Sequence, residues 1–189
     1  KMNFNNYTTK SQETIQMAQQ IAQGFGHNQI ENEHIFKALT QVDENVLPFL
    51  LKKLNINTAI LEQVIDKQLE SLPKVSGAEL MLSREAGKSL NEASIIAKNM
   101  KDDYVSIEHL ILAIFKSKSN IAQVLKDQGV SEKDLKAAID ELRKGERVTS
   151  QSQEETYNSL NKFCKDFLTN VANKRPNVII TRAVNSFGK

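Results

Sequence analysis

The chain has 189 residues, 40% hydrophobic and 25% charged, with a formal net charge of +2. That composition belongs to an ordinary globular protein and excludes a disordered or membrane-embedded one. A single cysteine, Cys164, cannot form an intrachain bridge, so a reducing, cytoplasmic compartment is expected. The polar start KMNFNNYTTK carries no signal-peptide pattern and no apolar run nears 18 residues, so neither export nor membrane spanning is expected.

In chain order, Ile15, Ala18, Ile21, Ala22 and Phe25 fall at helical spacing. Thr8 or Thr9 is placed to cap that helix, and Gly24 and Gly26 to break its end. A second helix is expected around 33–40 and a third around 45–54, with Pro48 near its first turn, where a missing N–H costs little. A fourth follows the cap Asn57 and carries Ile60, Leu61, Val64, Ile65 and Leu69. LPKVSGAEL (72–80) reads as a linker.

Then the plan repeats. Residues 30–39, IENEHIFKAL, return as VSIEHLILAI at 105–114, so Glu33-His34 recurs as Glu108-His109, 75 positions on. Ala18, Ile21 and Ala22 return at that offset as Ala93, Ile96 and Ala97. Ile56, Leu61, Ile65 and Asp66 return 74 positions on as Val130, Leu135, Ile139 and Asp140. Ser83 takes the place of Thr8, Ser106 precedes the second Glu-His pair, and Ser131 with Asp134 resembles a capping box. A long period present twice predicts a duplicated supersecondary unit. The expected fold is all-α with about eight helices. Two four-helix units, about 8–71 and 83–144, should form one domain over 1–145 with pseudo-twofold symmetry and a seam between them. Strand signals are nearly absent up to residue 144.

The polar stretch 146–157 reads as a flexible, solvated linker. Residues 158–189 hold helical spacing in Leu160, Phe163, Phe167, Leu168 and Val171, then a β-prone Val178-Ile179-Ile180, and are assigned to no domain. Residues 157–189 carry six Lys or Arg against one acid, Asp166, leaving a mildly acidic body. Such a body lacks the basic face of a nucleic-acid binder. An aromatic content of 6% without tryptophan also argues against a stacking platform for single strands.

Gly87-Lys88-Ser89 ends a near-match to a phosphate-binding loop, but Leu82 stands where the first glycine is needed and helical spacing runs through it. The Glu-His pairs lack a second histidine at i+4, and His27 lies seven positions before His34, so a metal site is not expected. Each Glu falls in a first helical turn, where the macrodipole favours a carboxylate by roughly 0.3–1 kcal/mol. Each His then fits a helix–helix contact as a partly buried neutral ring. No Ser–His–acid or Cys–His grouping is evident, and no enzyme activity is expected.

Two tandem units around an xIxxEHI-type motif resemble the N-terminal (Clp repeat) domain of the Clp/Hsp100 family of AAA+ unfoldases. The opening MNFNNYTTKSQETI, the LPKVSG linker, the LSREA start of the second unit and ELRKGERVTSQSQEETYNSLNKF are similar to the ClpB-type group, over about residues 2–165. The resemblance implies a non-catalytic chaperone domain of the stress response and of protein disaggregation. It would engage unfolded or aggregated proteins, or an adaptor, in a groove between the repeats. It also implies no cofactor in this chain, since ATP and Mg2+ would belong to ATPase modules absent from it. A monomer is implied for the fragment and a hexamer for the full-length family. By resemblance, substrate engagement maps onto Thr8, Asp102 and Glu108. Glu33 and His109 complete the candidate set through the twin Glu-His pairs. Glu33 stands where ClpB-type sequences often carry a small or apolar residue. ClpC-type domains have Glu in both units and are associated with phosphoarginine, a minor alternative. The resemblance makes 158–189 an incomplete or divergent lead-in to an absent ATPase module, since after Phe167 the sequence departs from the family. A truncated chain, a stand-alone gene or a disrupted frame would each give that departure.

Overall fold

A computed structural model describes residues 3–157. The first half contains α1 (Thr9–Phe25), α2 (Asn32–Val42), α3 (Val46–Lys53) and α4 (Thr58–Ser71). The second contains α5 (Arg84–Asn99), α6 (Ile107–Lys116), α7 (Asn120–Asp127) and α8 (Glu132–Arg143), followed by a short α9 (Gln153–Thr156).

Local chemistry sets these limits. The Thr8 hydroxyl oxygen accepts the Ser11 N–H at 3.2 Å and that of Ser83 accepts the Ala86 N–H at 3.0 Å. Asn57 Oδ1 accepts the Ile60 N–H at 3.1 Å. Ser131 and Asp134 exchange side chain and amide at 3.1 and 3.3 Å, the expected capping box. The repeat extends to the helix exits. Gly26 (φ 75°) has its image in Lys101 (φ 58°), and Asn55 (φ 53°) in Gly129 (φ 87°). Each exit needs the left-handed conformation, and glycine meets that need without a Cβ penalty in only one of the two copies.

The halves are tied by backbone that the sequence barely announces. β1 (Gln29–Ile30) and β2 (Met81–Leu82) pair in parallel, Gln29 with Met81 and Ile30 with Leu82. A second parallel bridge joins Tyr7 to Val105. Tyr7 and Val105 are the repeat images of Leu82 and Ile30, so the two crossings are one contact applied twice. Each half therefore pairs the segment before its first helix with the segment before the other half's second helix. The Ser83 amide donates to Ile30 O and the Thr8 amide to Val105 O, both at 3.0 Å.

Within each half the first two helices pack together, α1 on α2 and α5 on α6; across the halves α3 packs on α8 and α4 on α7. Ile35, Phe36, Leu39, Leu50, Leu61, Ile65 and Leu69 fill the first half's share of the core. The sequence of α6, IEHLILAIFK, is apolar nearly all round, and every residue from Ile107 to Phe115 is buried, as such a helix requires. Among the described residues, no helix is long and apolar enough to cross a membrane.

One expectation is corrected. Residues 146–157 do not run as a solvated linker; they lie in the same compact unit, which extends to Tyr157 rather than ending at 145. Val148, Gln153, Glu154 and Tyr157 are buried. The Asp103 amide donates to Val148 O (2.8 Å), the Val148 amide to Asp102 Oδ1 (2.9 Å) and the Thr9 amide to Gln151 O (2.8 Å). This strap looks polar in sequence because its polar groups have partners on the body. The expectations for 158–189 lie outside the described residues.

The twin caps supply a test. Ser83→Ala is expected to cost about 1 kcal/mol, the usual loss of a hydroxyl cap. Thr8→Ala is expected to cost about 2–3 kcal/mol, because Thr8 Oγ1 also donates to the buried Glu154 carboxyl at 2.5 Å. Urea unfolding followed by circular dichroism checks the ranking; equal losses would remove Glu154 from the account.

Candidate functional site

Both histidines do the same structural job. The Glu31 amide donates to His34 Nδ1, and the Ser106 amide to His109 Nδ1, each at 2.8 Å. The imidazole thus takes the place that Glu or Gln holds in the usual capping box. An amide can only donate, so Nδ1 is bare and the ring proton sits on Nε2. That proton is given to His27 Nδ1 (2.8 Å) in the first half and to Asp102 Oδ2 (2.7 Å) in the second. His27 and Asp102 are themselves repeat images, 75 positions apart. Burial, then the neighbouring His27, pushes His34 down to about 4. His27 is also lowered, by burial and by Lys74, and stacks on Phe25 with ring centroids 5.2 Å apart.

The halves differ in what surrounds the motif. Arg143 Nη1 meets Asp102 Oδ2 at 2.9 Å, while Nη2 and Nε meet Glu108 Oε1 at 2.8 and 2.9 Å. The Tyr157 hydroxyl donates to the same Glu108 oxygen at 3.0 Å. Burial pushes the Asp102 carboxyl upward, but His109, the Val148 amide and Arg143 outweigh it and hold it below the ordinary carboxylate value. In the first half the place of Arg143 is taken by Leu69, fully buried.

Glu154 completes the network from the strap. Its Oε1 accepts the Thr8 hydroxyl and the Ile107 amide (3.1 Å), and Asn45 Nδ2 donates to its carbonyl oxygen (3.3 Å). Burial, and then the Glu108 charge, pushes its carboxyl up to about 7. One oxygen of each acid, Glu108 Oε2 and Glu154 Oε2, is buried without a hydrogen-bond partner.

Of the candidate residues, Thr8, Asp102, Glu108 and His109 meet in this network, and their side chains have no exposed surface. Glu33 stands apart. It is half-buried, its carboxyl raised chiefly by burial, in an open groove of about 600 Å3 between the halves. The groove is walled by Glu31, Asn32 and Glu33 from the first half, and by Ser89 of α5, Ala113 of α6 and Ser119 before α7 from the second. The Glu-His pairs do not converge on a composite site, because each histidine keeps to its own half. Among the described residues no group of three or more His, Cys, Asp or Glu is placed to hold a metal ion. Gly87-Lys88-Ser89 lies inside α5, with the Gly87 amide bonded to Ser83 O at 2.9 Å. That amide is therefore not free to wrap a phosphate.

Sequence reasoning missed Arg143, Glu154 and Tyr157. Arg143 carried a signal, being a charged residue where the repeat has Leu69. Glu154 and Tyr157 carried none, since they fall beyond the repeats.

The match to known proteins agrees with this architecture. Residues 6–128 match the family described as the Clp repeat (R) N-terminal domain. The chain belongs to that family. It is 50% identical over 162 residues to the chaperone protein ClpB of Bacteroides thetaiotaomicron, covering 86% of this chain and 19% of that protein. To ClpB of Porphyromonas gingivalis it is 45% identical over the same length, again covering 86% of this chain and 19% of that protein. The chain therefore spans about a fifth of the length of these relatives and is similar to their N-terminal region. The Hsp104 N-terminal domain from Candida albicans shares its fold, with a TM-score of 0.71 at 24% identity, covering 79% of this chain and 99% of that one.

Two predictions test the network. Arg143→Leu, which installs the first half's residue, leaves two buried acids without their cation and is expected to destabilise the domain by about 3–5 kcal/mol. Adding Asp102→His, the first half's other substitution, should recover part of that loss in urea unfolding. The pH dependence has two opposed arms. His34 titrates near 6.5 in the unfolded chain and about 4 in the fold, so stability is whole above about pH 6.5 and falls by roughly 3 kcal/mol toward pH 4. Glu154 is raised to about 7, so its contribution is whole below about pH 4.5 and lost by a similar amount as pH rises through about 7. Glu154→Gln mimics the protonated acid. It should abolish the alkaline arm and leave the acid arm, read as unfolding free energy from pH 4 to 8; an unchanged alkaline arm would refute the assignment.

Proposed function

We propose that this chain is the client-engaging N-terminal domain of a ClpB-type, ATP-driven disaggregase. Extended segments of unfolded or aggregated proteins dock reversibly in the groove between its repeats. Nucleotide and Mg2+ would be handled by ATPase modules outside these 189 residues, in a hexamer of the kind the family forms. The observation that carries the reading is the open groove itself, built jointly by α2 of one half and α5, α6 and α7 of the other, on a domain of this family. A shallow site of this size implies weak binding, since the client loses conformational freedom on docking.

Within this reading the five candidate residues divide by burial. Glu33 faces the client. Thr8, Asp102, Glu108 and His109 are positioning residues that hold the starts of α1 and α6. Phosphoarginine recognition by both acids is less well supported, because Arg143 and Tyr157 already engage Glu108. The competing reading is a scaffold that docks one folded adaptor.

The test is an NMR titration of the chain with a permanently unfolded protein. Amide shifts at Glu33, Ser89, Ala113 and Ser119 are expected as it is added. No perturbation at high micromolar client, together with one stoichiometric folded partner in a pull-down, would replace this reading with the adaptor scaffold.

A further inference from the structure

The strap sits on the domain as a bound peptide would. Glu154 lies against the start of α6, taking the Thr8 hydroxyl and the Ile107 amide on one carboxyl oxygen. Its carbonyl takes Asn45 Nδ2, and three residues later the Tyr157 hydroxyl reaches Glu108. The internal repeat assigns an image to each of these groups. Thr8 maps to Ser83, Ile107 to Asn32, Glu108 to Glu33 and Asn45 to Ser119. Ser83 caps α5 as Thr8 caps α1, and Ser119 precedes α7 as Asn45 precedes α3.

Three of these four images, Asn32, Glu33 and Ser119, line the 600 Å3 groove. The groove is thus the open twin of the slot that the strap fills. Its wall is also polar. Asn32 (3% exposed) and Ser89 (4% exposed) both line it, and Asn32 Oδ1 and Ser89 Oγ have no hydrogen-bond partner. Both atoms are covered, so they make the groove wall polar without presenting a contact at its surface. The chain cannot fill the twin slot in the same way. Residues 72–80 follow α4 as the strap follows α8, but Val75 bonds to Gly26 O and the backbone then enters β2.

We infer that the groove binds a peptide segment folded into a helical turn, as the strap is at α9, carrying a glutamate or glutamine side chain followed three residues later by tyrosine, supplied by a partner protein. The side-chain oxygen of that residue takes the place of Glu154 Oε1 at the start of α2. The tyrosine hydroxyl donates to Glu33 as Tyr157 donates to Glu108. Lys118 on the rim complements an acidic flank such as that of Glu155. This assignment rests on the groove being the peptide site of the domain and names the chemistry it selects.

The probe is the strap's own sequence, VTSQSQEETY (148–157), as a free capped peptide titrated into the isotopically labelled 189-residue chain. Saturable amide shifts are expected at Asn32, Glu33, Ser89 and Ser119. Peptides with Glu154→Ala or Tyr157→Ala should bind at least about fivefold more weakly, the loss of one anchoring hydrogen bond. Asn120→Trp, at an exposed position on the groove wall, should abolish the shifts while leaving the thermal unfolding midpoint unchanged. The inference is overturned if millimolar peptide shifts nothing in the groove, or if only Thr8, Ile107 and Glu108 respond. It is also overturned if the alanine peptides bind as well as the parent. Groove shifts with unfolded client but none with the peptide would reject this ligand chemistry and keep the groove as client site. Silence with both would reject both.

Discussion

Arg143 is the contact on which the second half's interior depends. One guanidinium faces Asp102 and Glu108 together, and through Glu108 it also meets the hydroxyl of Tyr157. Two carboxylates in a poorly solvated interior are tolerable only with their counter-charge in place. Arg143 therefore ties the end of α8 to the turn at 101–103 and to the start of α6, while His109 joins that turn to α6 and Tyr157 joins the strap to Glu108. The first half reaches the same backbone arrangement without charge, using His27, His34 and Leu69. A geometry set by helix starts and crossed strands can thus be satisfied by an ionic set or by a neutral one, and this protein contains both.

Burying the starts of α2 and α6 explains the recurring histidine. A helix start leaves amides without intrahelical partners, and burial makes each one expensive. The imidazole accepts from the residue before the helix through Nδ1 and passes its own proton onward through Nε2. A carboxylate at that position could accept but could not donate in turn. Glu33 and Glu108, one residue earlier, meet different fates. The former faces the groove, while the latter is covered by Arg143 and the strap.

The helices were legible because their apolar spacing and side-chain caps act within four residues, as at Thr8, Asn57, Ser83 and Ser131. The duplication was legible for the same reason, since it copies those local signals. The two-residue strands were not, because no alternation can be read over two positions. The strap was misread because its burial follows from distant partners, Thr8, Ile107 and Asp102, rather than from its own composition. The gathering of Thr8, Asp102, Glu108 and His109 rests on the crossed pairing, which places helix starts far apart in sequence side by side. Arg143 could have been noticed as a charge standing where the first repeat carries Leu69.

The crossed pairing also bears on how the molecule behaves when its covalent continuity is broken. Each half lends its leading segment to the other, so the exposed run at 72–80 transmits little of the force holding them together. Its role is chiefly to raise the local concentration of one half around the other. Proteolytic scission there would leave both bridges and the α3–α8 and α4–α7 contacts in place, and the nicked protein would persist as a non-covalent heterodimer. A lone half would expose half of each bridge and a broad apolar face, and would find its complement in a second copy of itself.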